Sequence, residues 1–190
     1  MGNTVGKNRN GQRITPMALL RRYYRDRNGV AAIEFAMLAF PFFLLLFAIL
    51  ESCIAFAAQQ LIANTTADIA RQVRTGQLKL EDVEDGKIQS LICDRISLLV
   101  SAGCPGLEVD LRQYSSFEAA AKEKIKWTPN GDLDTTDFDV NPGGPLSPNM
   151  LRVFYRWPVV TDIMRKRVSN LPDGKTLLFA SNTWRNEPFN

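Results

Sequence analysis

The sequence predicts an α+β protein in which one long N-terminal helix packs on a small antiparallel β-sheet. Three observations carry that expectation. Residues 30–50 form an apolar run interrupted by one carboxylate. Apolar residues then recur every three or four positions up to residue 73. Beyond residue 106 the pattern changes to strict alternation in short segments bounded by Gly, Pro, Asn and Asp. The first two fit a helix period, the third a strand period.

Charge is unevenly distributed. Residues 1–29 hold seven cations (Lys7, Arg9, Arg13, Arg21, Arg22, Arg25, Arg27) and one anion, Asp26, for a net +6. The whole chain is +3, so residues 30–190 carry −3. A nucleic-acid-binding body should be basic over a folded face, and this one is not. Cations gathered before an apolar run fit a leader held at the cytoplasmic face of a membrane, with Tyr23 and Tyr24 at the interface. The chain has no histidine, which removes the commonest general base and metal ligand. No phosphate-cradling glycine loop and no nucleophile–base spacing is present. The expectation is a protein that is not an enzyme and carries no cofactor.

Val30 to Leu50 is 21 residues, enough to cross a hydrocarbon core of about 30 Å. Thirteen of them are Leu, Ile, Phe or Val, contributing on the order of −6 kcal/mol to insertion. Glu34 costs at most about 3 kcal/mol at the bilayer centre, and less near the interface, so insertion wins. Pro41 lies mid-span; it reads as a bend that membrane helices tolerate, or as a weak point during extraction from the bilayer. Past Leu50 the residues Ile54, Ala58, Leu61, Ile62, Thr65, Ile69 and Val73 form one face, with Gln59, Asn64, Asp68, Arg71 and Arg74 on the other. Gly76 reads as the stop. This gives a helix over 30–76 about 65–70 Å long, transmembrane in 30–50. Glu51, just past the span, reads as a solvated interface residue.

The remaining 77–190 forms the exported body. Val83, Ile88, Leu91, Ile92, Ile96 and Leu99 predict one helix over 82–100. Leu107, Val109 and Leu111 alternate with Glu108, Asp110 and Arg112, predicting a half-buried strand. Residues 115–126 read as a short helix or an irregular extension. The Pro/Gly/Asn/Asp-rich stretch 128–149 predicts a long loop. Leu151, Val153, Tyr155 and Trp157 alternate with Arg152, Phe154 and Arg156 in a second strand. A short amphipathic helix over 159–168, a turn at 171–174 and a third strand over 176–185 complete the body.

Cys93 and Cys104 stand 11 residues apart in this exported part. They read as a disulfide joining helix end to strand start, worth roughly 3 kcal/mol by loop-closure entropy, or as two thiols. No histidine or further cysteine accompanies them, so the metal expectation is none. Cys53 reads as a small apolar residue. Asp132, Asp134, Asp137 and Asp139 alternate as in calcium loops, but without the glycine and closing glutamate of that pattern, so 132–139 reads as a solvated loop.

Gly29, then Val30, then Glu34 followed at once by Phe35, all behind a basic leader, resembles a type IV prepilin cleavage region. The long leader, Phe35 and Pro41 resemble the TadE-like pseudopilins of the Tad/Flp (tight adherence) pilus. The ending Trp184-Arg185-Asn186-Glu187-Pro188-Phe189 is similar to the Asn-Glu-Pro-aromatic tail of that family. The resemblance implies a pilin-like fold, a minor pilin role in pilus assembly and adhesion, and a prepilin peptidase that cuts between Gly29 and Val30. It implies Glu34, with Phe35 beside it, as the ion-pair residue for the new amine at Val30. It implies as partners other pilins or pseudopilins and Tad assembly proteins, at a bacterial inner membrane with the N-terminus cytoplasmic and the body periplasmic. Glu34 as a hydrated, idle interface residue is the plainer reading of the same position. Two other readings of the whole stay open: an uncleaved single-pass protein with a periplasmic interaction domain, and a minor pseudopilin of a type II secretion-like system.

Overall fold

The computed structural model describes residues 29–84 and 86–188. The basic leader 1–28 and Phe189 of the tail lie outside the described residues. Helix α1 runs from Val30 to Arg74 and continues through Pro41. The chain divides into two units within it, between Phe47 and Ala48.

In the first unit the helix is apolar on every side apart from Glu34, and none of its residues is buried. Phe35, Met37, Leu38 and Phe40 are 71–74 % exposed. Such a surface is expensive in water and suited to lipid. Among the described residues this is the one helix long and apolar enough to cross a membrane.

In the second unit α1 is amphipathic. Ala58, Ile62, Thr65, Thr66, Ile69, Ala70 and Val73 are buried at three- and four-residue spacing. Buried Thr66 returns its hydroxyl to the carbonyl of Ile62 at 2.7 Å, so no donor is stranded. The C-terminus closes with paired bonds from Gly76 N to Val73 O (3.1 Å) and Gln77 N to Gln72 O (2.9 Å). This Schellman pattern satisfies two otherwise unpaired carbonyls.

The helix expected over 82–100 is two helices, α2 (Leu80–Val83) and α3 (Lys87–Ile96). Gly86 between them has φ +79°, a left-handed conformation that cannot continue a helix. The apolar spacing survives the break because Val83, Ile88, Ile92 and Ile96 all reach the same core. Asp68 of α1 holds Arg95 of α3 in an ion pair.

Four strands follow in the spatial order β2-β1-β3-β4: β1 (Leu107–Gln113), β2 (Val140–Asn141), β3 (Pro148–Trp157) and β4 (Thr176–Arg185). The antiparallel expectation holds for β1–β3 and β3–β4, with Val109 opposite Val153 and Val153 opposite Ala180. It fails at the edge, where β2 pairs parallel to β1, so the sheet is mixed. Between strands lie α4 (Phe117–Lys122), capped by Ser116 Oγ accepting from Ala119 N, and α5 (Asp162–Val168). The architecture is α+β, as the sequence predicts.

One sheet face meets the second half of α1 and α3, through Val109, Leu111, Leu151, Val153, Tyr155, Leu178, Ala180 and Trp184. The other face is not the solvated one that alternation predicts. Asp110, Arg152 and Phe154 there are at most 4 % exposed. Phe138 of the 128–149 segment stacks on Phe154 at 5.2 Å, and Phe154 lies against Phe179 at 4.9 Å. That segment is therefore a cover over the sheet, and it contributes β2, rather than an idle loop.

Candidate processing segment and tail lock

Gly29 precedes the first residue of α1 and is exposed. A Cβ built there meets nothing within 4 Å, and its φ is not in the left-handed region. Neither packing nor backbone conformation in the fold requires glycine at this position. Val30 is the first residue of α1 and is 48 % exposed. Glu34 is four residues on, so the two lie on one helix face. Glu34 makes no ion pair among the described residues. Phe35 is 71 % exposed. The segment thus presents a glycine, a helix start, one carboxylate and an aromatic ring without engaging them in the fold.

At the other end of the expected span Glu51 is not an idle interface residue. Its Oε1 accepts from Val160 N at 2.6 Å and from Thr161 N at 3.3 Å, the residues leading into α5. Partial burial raises its pKa, but these hydrogen bonds and the nearby Arg165 charge outweigh that and hold it below the ordinary glutamate value.

The C-terminal motif is built into the fold through Asn186, which is 2 % exposed. Trp184 Nε1 donates to Asn186 Oδ1 at 2.7 Å. Asn186 Nδ2 donates to Gly143 O at 2.7 Å and to Gly144 O at 3.1 Å. Its backbone N–H donates to Ser147 O at 2.9 Å. The next residue, Glu187, donates its N–H to Arg74 O at 2.9 Å, and its carboxylate lies 3.4 Å from Arg74 Nε. The tail therefore fastens the 143–147 turn and seals a free carbonyl at the end of α1. Asn149, fully buried, holds the same turn by accepting from Gly143 N at 2.8 Å. A Cβ at 143 would lie 2.2 Å from Ser147 Oγ and 2.5 Å from Gln113 Oε1, so any larger residue there must displace both side chains.

Cys93 and Cys104 are joined, with Sγ atoms 2.06 Å and Cα atoms 5.7 Å apart. Cys53 is a free, exposed thiol. The acidic loop sends its carboxylates to separate partners. Asp132 lies 2.7 Å from Arg156, Asp137 pairs with Lys126, Asp134 accepts from Thr136 Oγ1 at 2.7 Å, and Asp139 accepts from Val140 N at 2.8 Å. The Arg156 contact holds the Asp132 carboxyl below its ordinary range despite a smaller burial effect, and Thr136 does the same for Asp134. Among the described residues no three His, Cys, Asp or Glu side chains are grouped to hold a metal ion.

Alternation alone missed one cluster. Asp110, fully buried, accepts from Arg152 Nε (2.8 Å) and Nη2 (2.6 Å) and from Asp139 N (3.1 Å). Arg112 Nε lies 2.8 Å from its other oxygen, and Glu123 joins Arg112 at 3.1 Å. The signal in the sequence was Phe154, an aromatic ring standing among the residues assigned to the solvated face.

With this geometry in place, comparison with known proteins gives one finding. The family model described as TadE-like protein matches residues 29–71, beginning at the exposed glycine and ending near the close of α1. No curated protein and no solved structure matches the chain. TadE-like proteins are components of Tad pilus systems. Over residues 29–71 the chain is similar to TadE-like proteins, the family its sequence resembles.

Proposed function

We propose that the protein is a minor, pilin-like component of a Tad/Flp pilus, processed by a prepilin peptidase between Gly29 and Val30. One observation carries the proposal: the family match, the start of α1 and a glycine that the fold does not require all fall at residues 29–30. A glycine with no structural duty is free to serve an enzyme that needs an extended, unhindered backbone. The cut removes the seven leader cations and leaves an amine at Val30, close to lipid. Glu34 of a neighbouring subunit neutralises that amine, as a charge in apolar surroundings demands. Before the cut, α1 anchors the chain as a single-pass protein of the inner membrane. The Ala48–Asn190 body lies in the periplasm, where the Cys93–Cys104 bond survives.

The test is processing in a host that supplies the peptidase. Gly29→Leu should leave an unprocessed band about 3 kDa heavier, 29 of the 190 residues of a 21.3 kDa chain. Glu34→Ala should insert and be cut yet fail to assemble. Normal processing of Gly29→Leu would remove the cleavage assignment, and normal piliation with Glu34→Ala would remove the ion pair.

A further inference from the structure

Helix α5 is held to a particular level of α1. Glu51 binds the backbone at Val160 and Thr161. Met164 shares one apolar recess with Ala48, Ile49, Ser52, Cys53 and Phe56, and another with Glu51 and Ala55. Hence α5 lies beside residues 48–56. At 1.5 Å per residue those residues extend no more than about 9 Å past Leu50, where the apolar span ends. The headgroup layer on each side of a bilayer is roughly 5–8 Å thick. Whichever way the body is rotated about α1, α5 stands in or against that layer.

Its surface suits the place. Val160 is 79 % exposed and Val168 46 %, and on α1 Phe56 is 71 % exposed. Arg165 is occupied, with Asp162 at 3.3 Å and its guanidinium donating to Val159 O. Lys166 and Arg167 are exposed and make no ion pair among the described residues. Glu51 and Asp162 together face one occupied cation, Arg165, so the site is net +1, and Lys166 and Arg167 are the two cations without a protein partner among the described residues. We propose that residues 160–168 rest on the bilayer surface on the body's side, with Lys166 and Arg167 on the phosphates of anionic phospholipids and Val160 among the upper acyl carbons. The inference rests on residues 30–50 being the span.

The experiment uses the full chain reconstituted in vesicles of phosphatidylcholine, alone or mixed with phosphatidylglycerol. Amide exchange over 159–168 should be slower in the anionic vesicles, by roughly 5-fold for a net charge of +1 at about 1 kcal/mol. The difference should vanish for Lys166→Gln/Arg167→Gln, and reverse for Lys166→Glu/Arg167→Glu. Equal exchange in both vesicles, with the chain resistant to alkaline extraction, overturns the surface contact and leaves the span standing. Release of the chain by alkaline extraction overturns the span, and the contact with it.

Discussion

Replacing Asn186 by Ala tests the tail lock at its centre. The substitution removes one acceptor and one amide group that together make three side-chain hydrogen bonds, to Trp184 Nε1, Gly143 O and Gly144 O. Each such bond contributes about 1 kcal/mol net, and a stranded buried indole N–H costs at least that much, so the loss should be about 3 kcal/mol. In a body of this size that corresponds to a Tm roughly 6–12 °C lower. It is also a factor of roughly 150 in the folding equilibrium. Thermal unfolding of the full chain in nanodiscs, followed by tryptophan fluorescence, reads the loss. Asn186→Asp separates the two halves of the interaction. It keeps an acceptor for Trp184 but turns a carboxylate oxygen toward two carbonyls, so at pH 7 it should destabilise at least as much as Ala. Amide exchange at Glu187, whose N–H seals Arg74, should accelerate in both variants. A Tm within about 1 °C of wild type for Asn186→Ala would refute the reasoning, since by the same arithmetic it means less than about 0.5 kcal/mol rests on those bonds.

Three further outcomes are expected. Asp110→Ala leaves the buried Arg152 without its main counter-charge and should cost about 3–5 kcal/mol, whereas Asp110→Leu with Arg152→Met, which keeps Arg112 with Glu123, should cost less than Asp110→Ala alone; additive losses in denaturant unfolding would count against a coupled pair. The Glu51 contact stabilises the start of α5 above the ordinary glutamate pKa and is lost as pH falls through the lowered folded value, so intrinsic-rate-corrected exchange at Val160 and Thr161 should rise on the acid side in wild type and stay flat in Glu51→Gln. In oxidised protein a maleimide should label Cys53 alone, with Cys93 and Cys104 reacting only after reduction; labelling of all three beforehand would contradict the bond.

What the sequence made legible was local. The spacing of Ile62, Ile69 and Val73 marks the inner face of α1 because helix period and burial coincide along one element. Gly76 as the stop follows from the same logic. The strand of Leu151 was visible through alternation and that of Leu178 through the turn before it; their antiparallel sense was expected, and their register was left to the fold. The sequence does carry a signal for the break, the Asp85-Gly86 dipeptide, but the apolar spacing alone predicts one unbroken helix. The rest is nonlocal. Asp110 and Arg152 meet from 42 residues apart, and no window of sequence shows that each is the other's reason to be buried. Composition marked 128–149 as a loop, which misses β2 at Val140–Asn141 and the first residues of β3, and Phe138 on Phe154 with the two asparagines at 149 and 186 make the stretch a cover. For the processing segment the reverse holds. Gly29, Val30, Glu34 and Phe35 stood out in the sequence through a carboxylate in an apolar run behind a basic leader, and among the described residues Glu34 makes no ion pair and a Cβ at Gly29 meets nothing within 4 Å.

The central claim is that Gly29 is a cut site, and it is tested most directly by the mature N-terminus. The protein should be purified from a host expressing a prepilin peptidase and sequenced by Edman degradation or intact mass. A chain beginning at Val30, with Glu34 as its fifth residue, is the predicted result. A chain that still begins at Met1 would contradict the claim and leave a permanently anchored single-pass protein in its place.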